Sequence, residues 1–175
     1  MLQGKRHEKD SVRRACGIGF GGGAFAADFP SYLKVSGTTI TGYAGGVPAS
    51  LAIPAGITKI GDHALMGCTA IKSATVPSSV TELEPGAFSG CSSLVSVTIA
   101  EGVTKIGWCA FANCTSLEHA SIPGSVTHIG DDPFGYCENI KEVRFGGTKA
   151  QWQSFKVTLN SGAVVRCSDG NITVR

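Results

Sequence analysis

Residues 76–98 read VPSSVTELEPGAFSGCSSLVSVT, and they form one of four consecutive lines that align without a gap. The others are IPAGITKIGDHALMGCTAIKSAT (53–75), IAEGVTKIGWCAFANCTSLEHAS (99–121) and IPGSVTHIGDDPFGYCENIKEVR (122–144). Cys68, Cys91, Cys114 and Cys137 fix the register at intervals of 23 residues. A constant period in the range of 20 to 29 residues means stacked coils of a solenoid, because a single unit of that size cannot bury its own apolar side.

Within each line the positions divide by chemistry. Leu94, Val97 and Ile99 recur as Ile71, Ala74 and Val76, as Leu117, Ala120 and Ile122, and as Ile140, Val143 and Phe145. Val97 and Ile99 flank Thr98, the alternation of a half-buried strand in a parallel sheet. Ile57 and Ile60, matched by Val80 and Leu83, Val103 and Ile106, and Val126 and Ile129, build a second wall. The pairs Ala64-Leu65, Ala87-Phe88, Ala110-Phe111 and Pro133-Phe134 have the spacing of a short helical turn with the ring inside the coil; Pro133 in place of Ala predicts a distorted fourth turn. Gly67, Gly90 and Asn113 precede their cysteines and tolerate a left-handed backbone. Tyr136 breaks that series, and Gly135 is the expected substitute.

Outward from the repeats, residues 1–26 read as a leader. Lys5, Arg6, Lys9, Arg13 and Arg14 oppose only Glu8 and Asp10, a Gly-rich apolar segment follows, and Ala24-Phe25-Ala26 has the form of an A-x-A cleavage site. The Arg13-Arg14 pair fits a twin-arginine signal. This stretch carries +3 of the formal charge of +2, so the remainder is near neutral at −1. Nucleic acid is therefore not an expected partner. No stretch reaches the roughly 18 apolar residues of a membrane span. Residues 27–52, with short strands and Gly turns, read as an N-terminal cap. Residues 145–175 read as a C-terminal cap, in which Trp152 and Phe155 lie on a helical turn and cover the core, and Ser168-Asp169-Gly170 joins two strands.

The line C-x-x-L-x-x-V-x-I-P-x-x-V-T-x-I-G-x-x-A-F-x-G resembles the BspA-type, or Treponema pallidum type, leucine-rich repeat. Cys91 to Ile99 and Ile106 to Phe111 carry the match most fully; TTITGYAGG (38–46), FGGTKAQWQSFKV and AVVRCSDGNITV resemble the flanking segments of such arrays. The resemblance implies an α/β repeat solenoid: a right-handed coil with a parallel β-sheet on its concave face, short helical turns or strands on the other, and caps at both ends. It implies a secreted or cell-surface bacterial protein that binds host proteins, matrix or cells, with no shared catalytic site.

The cysteines invite a chemical reading that their spacing opposes. Four thiols 23 residues apart lack the paired C-x-x-C spacing of a zinc site. Stacked equivalents lie about 4.8 Å apart with parallel Cβ vectors, whereas a disulfide needs Cβ atoms about 3.8 Å apart. Buried free thiols packing as small apolar residues are expected. Leucine-rich repeats of other types carry Asn at this position, bonded to a neighbouring loop; a thiol does that weakly, so packing is expected to dominate. Cys109, in the slot of His63, Gly86 and Asp132, is expected to face outward; a bond to Cys167 stays open, although the two positions lie some distance apart along the solenoid. His63, His119 and His128 occupy different slots, and no H-E-x-x-H, G-x-S-x-G or phosphate loop occurs. GIGFGGG at 17–23 follows no strand, and Glu82 and Glu84 read as ordinary solvent-facing charge. No catalytic, metal or cofactor site is expected.

What remains is the outer side of the strands, where three columns form: Thr75, Thr98, Ser121 and Arg144; Ser73, Ser96, His119 and Glu142; and Lys72, Val95, Glu118 and Lys141. Solvated strands favour such residues without any function. The sharper reading is a recognition strip for a protein or other cell-surface macromolecule on a monomer, or on part of a longer surface protein, with His119 lending pH sensitivity. The alternative is a structural spacer or envelope component with no soluble partner.

Overall fold

The computed structural model describes residues 29–175, so the leader expected at 1–26 lies outside the described residues. Two sheets run along the solenoid. The first contains β1 (Leu33–Ser36), β2 (Thr39–Tyr43), β4 (Lys59–Ile60), β6 (Glu82–Leu83), β8 (Lys105–Ile106) and β10 (His128–Ile129), adjacent in that order. The second runs from β3 (Ser50–Ala52) through β5 (Ser73–Val76), β7 (Ser96–Ile99), β9 (His119–Ile122) and β11 (Glu142–Phe145) to β12 (Val164–Cys167) and β13 (Gly170–Thr173). Successive repeats pair in parallel, and β1–β2 and β12–β13 are antiparallel hairpins at the two ends. The chain is a β-solenoid with parallel sheets.

The apolar sets fill the space between the walls as their spacing predicts. Ala74, Val97, Ala120 and Val143 are buried on the inner side of the second sheet, and Ile60, Leu83, Ile106 and Ile129 on the inner side of the first. Phe88, Phe111 and Phe134 stack face to face at 5.4 and 5.7 Å between centroids. At the C-terminal end Phe145 meets Trp152 at 5.5 Å and Phe155 edge-on at 5.8 Å. Trp152 belongs to α1 (Lys149–Ser154), capped by Thr148, whose hydroxyl accepts the Gln151 N–H.

The helical turns expected before each cysteine are not helices. The segment from Gly61 to Cys68 alternates between two hydrogen-bond directions. Ala64, Met66 and Cys68 donate three residues back, while His63, Leu65 and Gly67 donate to Pro85, Ala87 and Ser89 of the next coil. Repetition of this pattern makes a third wall, a ladder of turns; α1 is the one helix among the described residues. Half of the amides must point along the axis, which a helix does not allow. Two left-handed residues per coil make the pattern possible. One slot holds Gly67, Gly90, Asn113 and Tyr136, with φ of 71°, 72°, 58° and 59°, so Tyr136 itself takes the left-handed role and Gly135 does not. The other holds His63, Gly86, Cys109 and Asp132, with φ between 50° and 62°, and it is not apparent from composition. Pro133 costs the fourth coil only the short-range bond that Ala64, Ala87 and Ala110 make; its carbonyl still accepts the Phe111 N–H at 2.8 Å.

Candidate binding face

The cysteine ladder stays free: Cys68, Cys91, Cys114 and Cys137 are buried thiols, and Cys109 and Cys167 are partly exposed and unpaired. The ladder does more than pack. Cys91 Sγ donates to the Leu65 carbonyl at 3.2 Å, Cys114 to Phe88 at 3.2 Å and Cys137 to Phe111 at 3.0 Å. Each of these three thiols thus ties its coil to a carbonyl of the preceding one. Burial pushes the Cys91 thiol up to about 12, and burial likewise raises Cys68. Contact with Cys137 and then burial raise Cys114. The same contact with Cys114 lowers Cys137, whereas the raised thiols of Cys68, Cys91 and Cys114 stay protonated at neutral pH.

The outer side of the second sheet places the three expected columns in register. Ser73, Ser96, His119 and Glu142 are successive partners, as are Thr75, Thr98, Ser121 and Arg144. Lys72, Val95, Glu118 and Lys141 stand just before the strands, joined by backbone bonds of 2.8 to 2.9 Å. The structure lengthens the strip at both ends. Ser50 precedes Ser73, with their hydroxyls 3.2 Å apart, and Arg166 follows Arg144. Ser50 lies 23 residues before Ser73 and was open to the same register argument. Arg166 was hidden because it lies 22 residues after Arg144, one short of the period.

The ion pairs of the strip are confined to one half. The side at β3, β5 and β7 presents Ser and Thr, with Lys72 exposed just before β5. The other presents Glu118 bound to Lys141 at 2.8 Å, His119 3.8 Å from Glu118, and Glu142 held between Arg144 at 2.5 Å and Arg166 at 2.6 Å. Arg144 and then Arg166 pull the Glu142 carboxyl down to about 2. The Lys141 ammonium lowers Glu118. A shallow hollow of about 280 Å³ lies over this half, lined by Ser96, Thr98, His119, Ser121, Glu142 and Arg144 with Val97 and Ala120 at its base.

On the first sheet, Glu82 and Glu84 are not isolated charges. Lys59 bridges both at 3.0 Å, Lys105 reaches Glu82 at 2.6 Å, and Glu84 accepts the Asp62 N–H at 2.8 Å. Lys105, then Lys59, lower the Glu82 carboxyl. Beside them Thr81, Thr104 and Thr127 each donate a hydroxyl to the carbonyl of the preceding threonine at 3.2 to 3.3 Å. That side is occupied with its own bonds. Among the described residues no group of His, Cys, Asp and Glu could hold a metal ion, and no helix is long and apolar enough to cross a membrane.

Stacked 23-residue coils with Leu, Ile, Val, Phe and Cys at fixed inward slots define a leucine-rich-repeat protein. Residues 48–158 match the model of the BspA-type leucine-rich repeat region in six copies, and the chain belongs to that family. The six copies extend beyond the four gapless lines at 53–144. A leucine-rich repeat protein from Bacteroides capillosus ATCC 29799 is similar at 30% identity, over 66% of this chain and 99% of its own, with a TM-score of 0.56. One from Bacteroides ovatus ATCC 8483 is similar at 26% identity over 78% of this chain and 34% of its own, also with a TM-score of 0.56. The Treponema pallidum leucine-rich repeat protein shares the fold at 21% identity, over 66% of this chain and 70% of its own, with a TM-score of 0.52. A search of curated proteins gives no match.

Proposed function

We propose that this chain is a non-catalytic binding module of a bacterial surface or secreted protein, and that it holds another protein on the outer side of its second sheet. The observation that carries the reading is the ion-paired constellation of Glu118, His119, Lys141, Glu142, Arg144 and Arg166, of which His119, Glu142 and Arg144 line the 280 Å³ hollow. Paired charges of both signs, held in place by one another, suit a protein partner better than a polyanion, because electrostatic complementarity of mixed sign sets orientation and specificity. The Ser and Thr half adds hydrogen-bonding surface, with Lys72 beside it. Export rests on the leader-like sequence at 1–26, and adhesion on the repeat family; both accompany the binding role. Solenoids bind partners along such extended faces.

The test is a pull-down from host-cell or matrix extracts, followed by the same assay with Glu118, His119, Glu142 and Arg144 replaced together by Ala. Loss of the captured partner supports the face. Capture that survives the replacement moves the site elsewhere, and self-association with no partner supports the spacer role.

A further inference from the structure

The ladder of turns has a direction, and it ends unfinished. In the first three coils alternate amides reach the next coil: His63, Leu65 and Gly67, then Gly86, Phe88 and Gly90, then Cys109, Phe111 and Asn113, all at 2.7 to 3.1 Å. Asp132, Phe134 and Tyr136 occupy the same slots in the fourth coil, and among the described residues none of their N–H groups has an acceptor. Among the described residues no following coil is seated against them. In its place is a hollow of about 350 Å³, with these three residues on one side and Thr158, Leu159 and Asn160 on the other. The Oδ1 of Asn160 is buried without a partner. Unpaired backbone donors of this kind are costly when buried and act as a template for another chain at an edge.

The rim decides which acceptor fits. Asp132 and Glu138 line the hollow, and Asp131 precedes Asp132 in the chain, all exposed and none in an ion pair among the described residues. Their charge repels a phosphate or a free carboxylate from the row of amides. A neutral peptide carbonyl meets no such repulsion, and a cation next to it is favoured. Tyr136, 75% exposed, adds an aromatic face that a cation can approach. Phe134 gives an apolar floor. The volume is at the small end of the roughly 300 to 1,000 Å³ of ligand sites, which suits a few residues.

We propose that this hollow is a second docking site, separate from the sheet face, and that its occupant is an extended segment of a partner protein carrying Lys or Arg beside an apolar residue. Carbonyls of alternate residues, which an extended chain presents on one side, accept from Asp132, Phe134 and Tyr136. The cation of the segment lies against Asp132 and Glu138. This is strand addition in its general form, with main-chain bonds giving affinity and side-chain contacts giving selection.

The probe is the blocked hexapeptide Lys-Val-Lys-Val-Lys-Val, with the Glu-for-Lys peptide as control, titrated into the full isotope-labelled chain. At millimolar Lys peptide the Phe134 and Tyr136 amides should shift and exchange several-fold more slowly, and the Glu peptide should leave them unchanged. Replacing Asp132 with Asn and Glu138 with Gln together should weaken the Lys peptide about fivefold. The sheet-face replacements of Glu118, His119, Glu142 and Arg144 should leave it unchanged, which separates the two sites. Amides at 132, 134 and 136 that respond to neither peptide, or equally to both, overturn the proposal.

Discussion

Cys91 shows how one residue serves the stack. It fills an inward slot, and its thiol donates to a carbonyl of the coil before it. The folded state holds the thiol at about 12, against an ordinary value of 9.0. A thiol whose folded pKa is raised contributes stability that is fully present below pH 9 and is lost as the pH rises toward 12, because the unfolded chain ionises first. Within that window the loss approaches about 1.4 kcal/mol per pH unit from this residue. Chemical denaturation at pH 8, 9.5 and 11 should show an alkaline decline that Cys91→Ala makes shallower. Native alkylation at pH 7.5 should label Cys109 and Cys167 well before Cys68, Cys91, Cys114 and Cys137, as mass spectrometry of the digested protein would show.

At the scale of elements, the close approach of coils governs what each slot accepts. A Cβ on Gly107 would lie 2.5 Å from the Pro85 nitrogen and 2.6 Å from the Glu84 carbonyl carbon, both backbone atoms of the preceding coil. Gly107→Ala should therefore destabilise the protein by about 1–3 kcal/mol. Gly45→Ala meets nothing within 4 Å and should stay within about 0.5 kcal/mol of the parent in the same denaturation experiment. The charged half of the second sheet gives a further test. Glu142 is held low by Arg144 and Arg166, so its contribution to stability is present above pH 4.5 and is lost as the pH falls toward 2. Carbon-detected NMR should find the Glu142 midpoint near 2, well below the ordinary glutamate value of 4.5, and Arg166→Ala should move it upward.

Across the whole molecule, each coil touches only its neighbours, so stability is close to a sum of coil and interface terms. Strands in the middle of the stack have partners on both sides, whereas β1, β3, β10 and β13 have one. Hydrogen exchange should be slowest in β7 and β9 and fastest in these four edge strands, with intermediate rates between them. Uniform protection from end to end would mean that the stack unfolds as one unit.

The four lines from residue 53 to 144 determined the coil, the inward slots, the phenylalanine stack, the free thiols and the columns of the second sheet. They did so because a solenoid repeats its environment every 23 residues, and one register then assigns every side chain. Three features needed the folded chain. Arg166 joined Glu142 only after β12 paired with β11 at a spacing of 22. The third wall became a ladder of turns because half its amides bond to the next coil, a choice that composition does not encode. The open donors at Asp132, Phe134 and Tyr136 exist because the C-terminal segment leaves that ladder unpaired. A period in the sequence states what each coil shares with the others. Where the stack stops, and what its last coil leaves exposed, depends on contacts between segments that do not repeat.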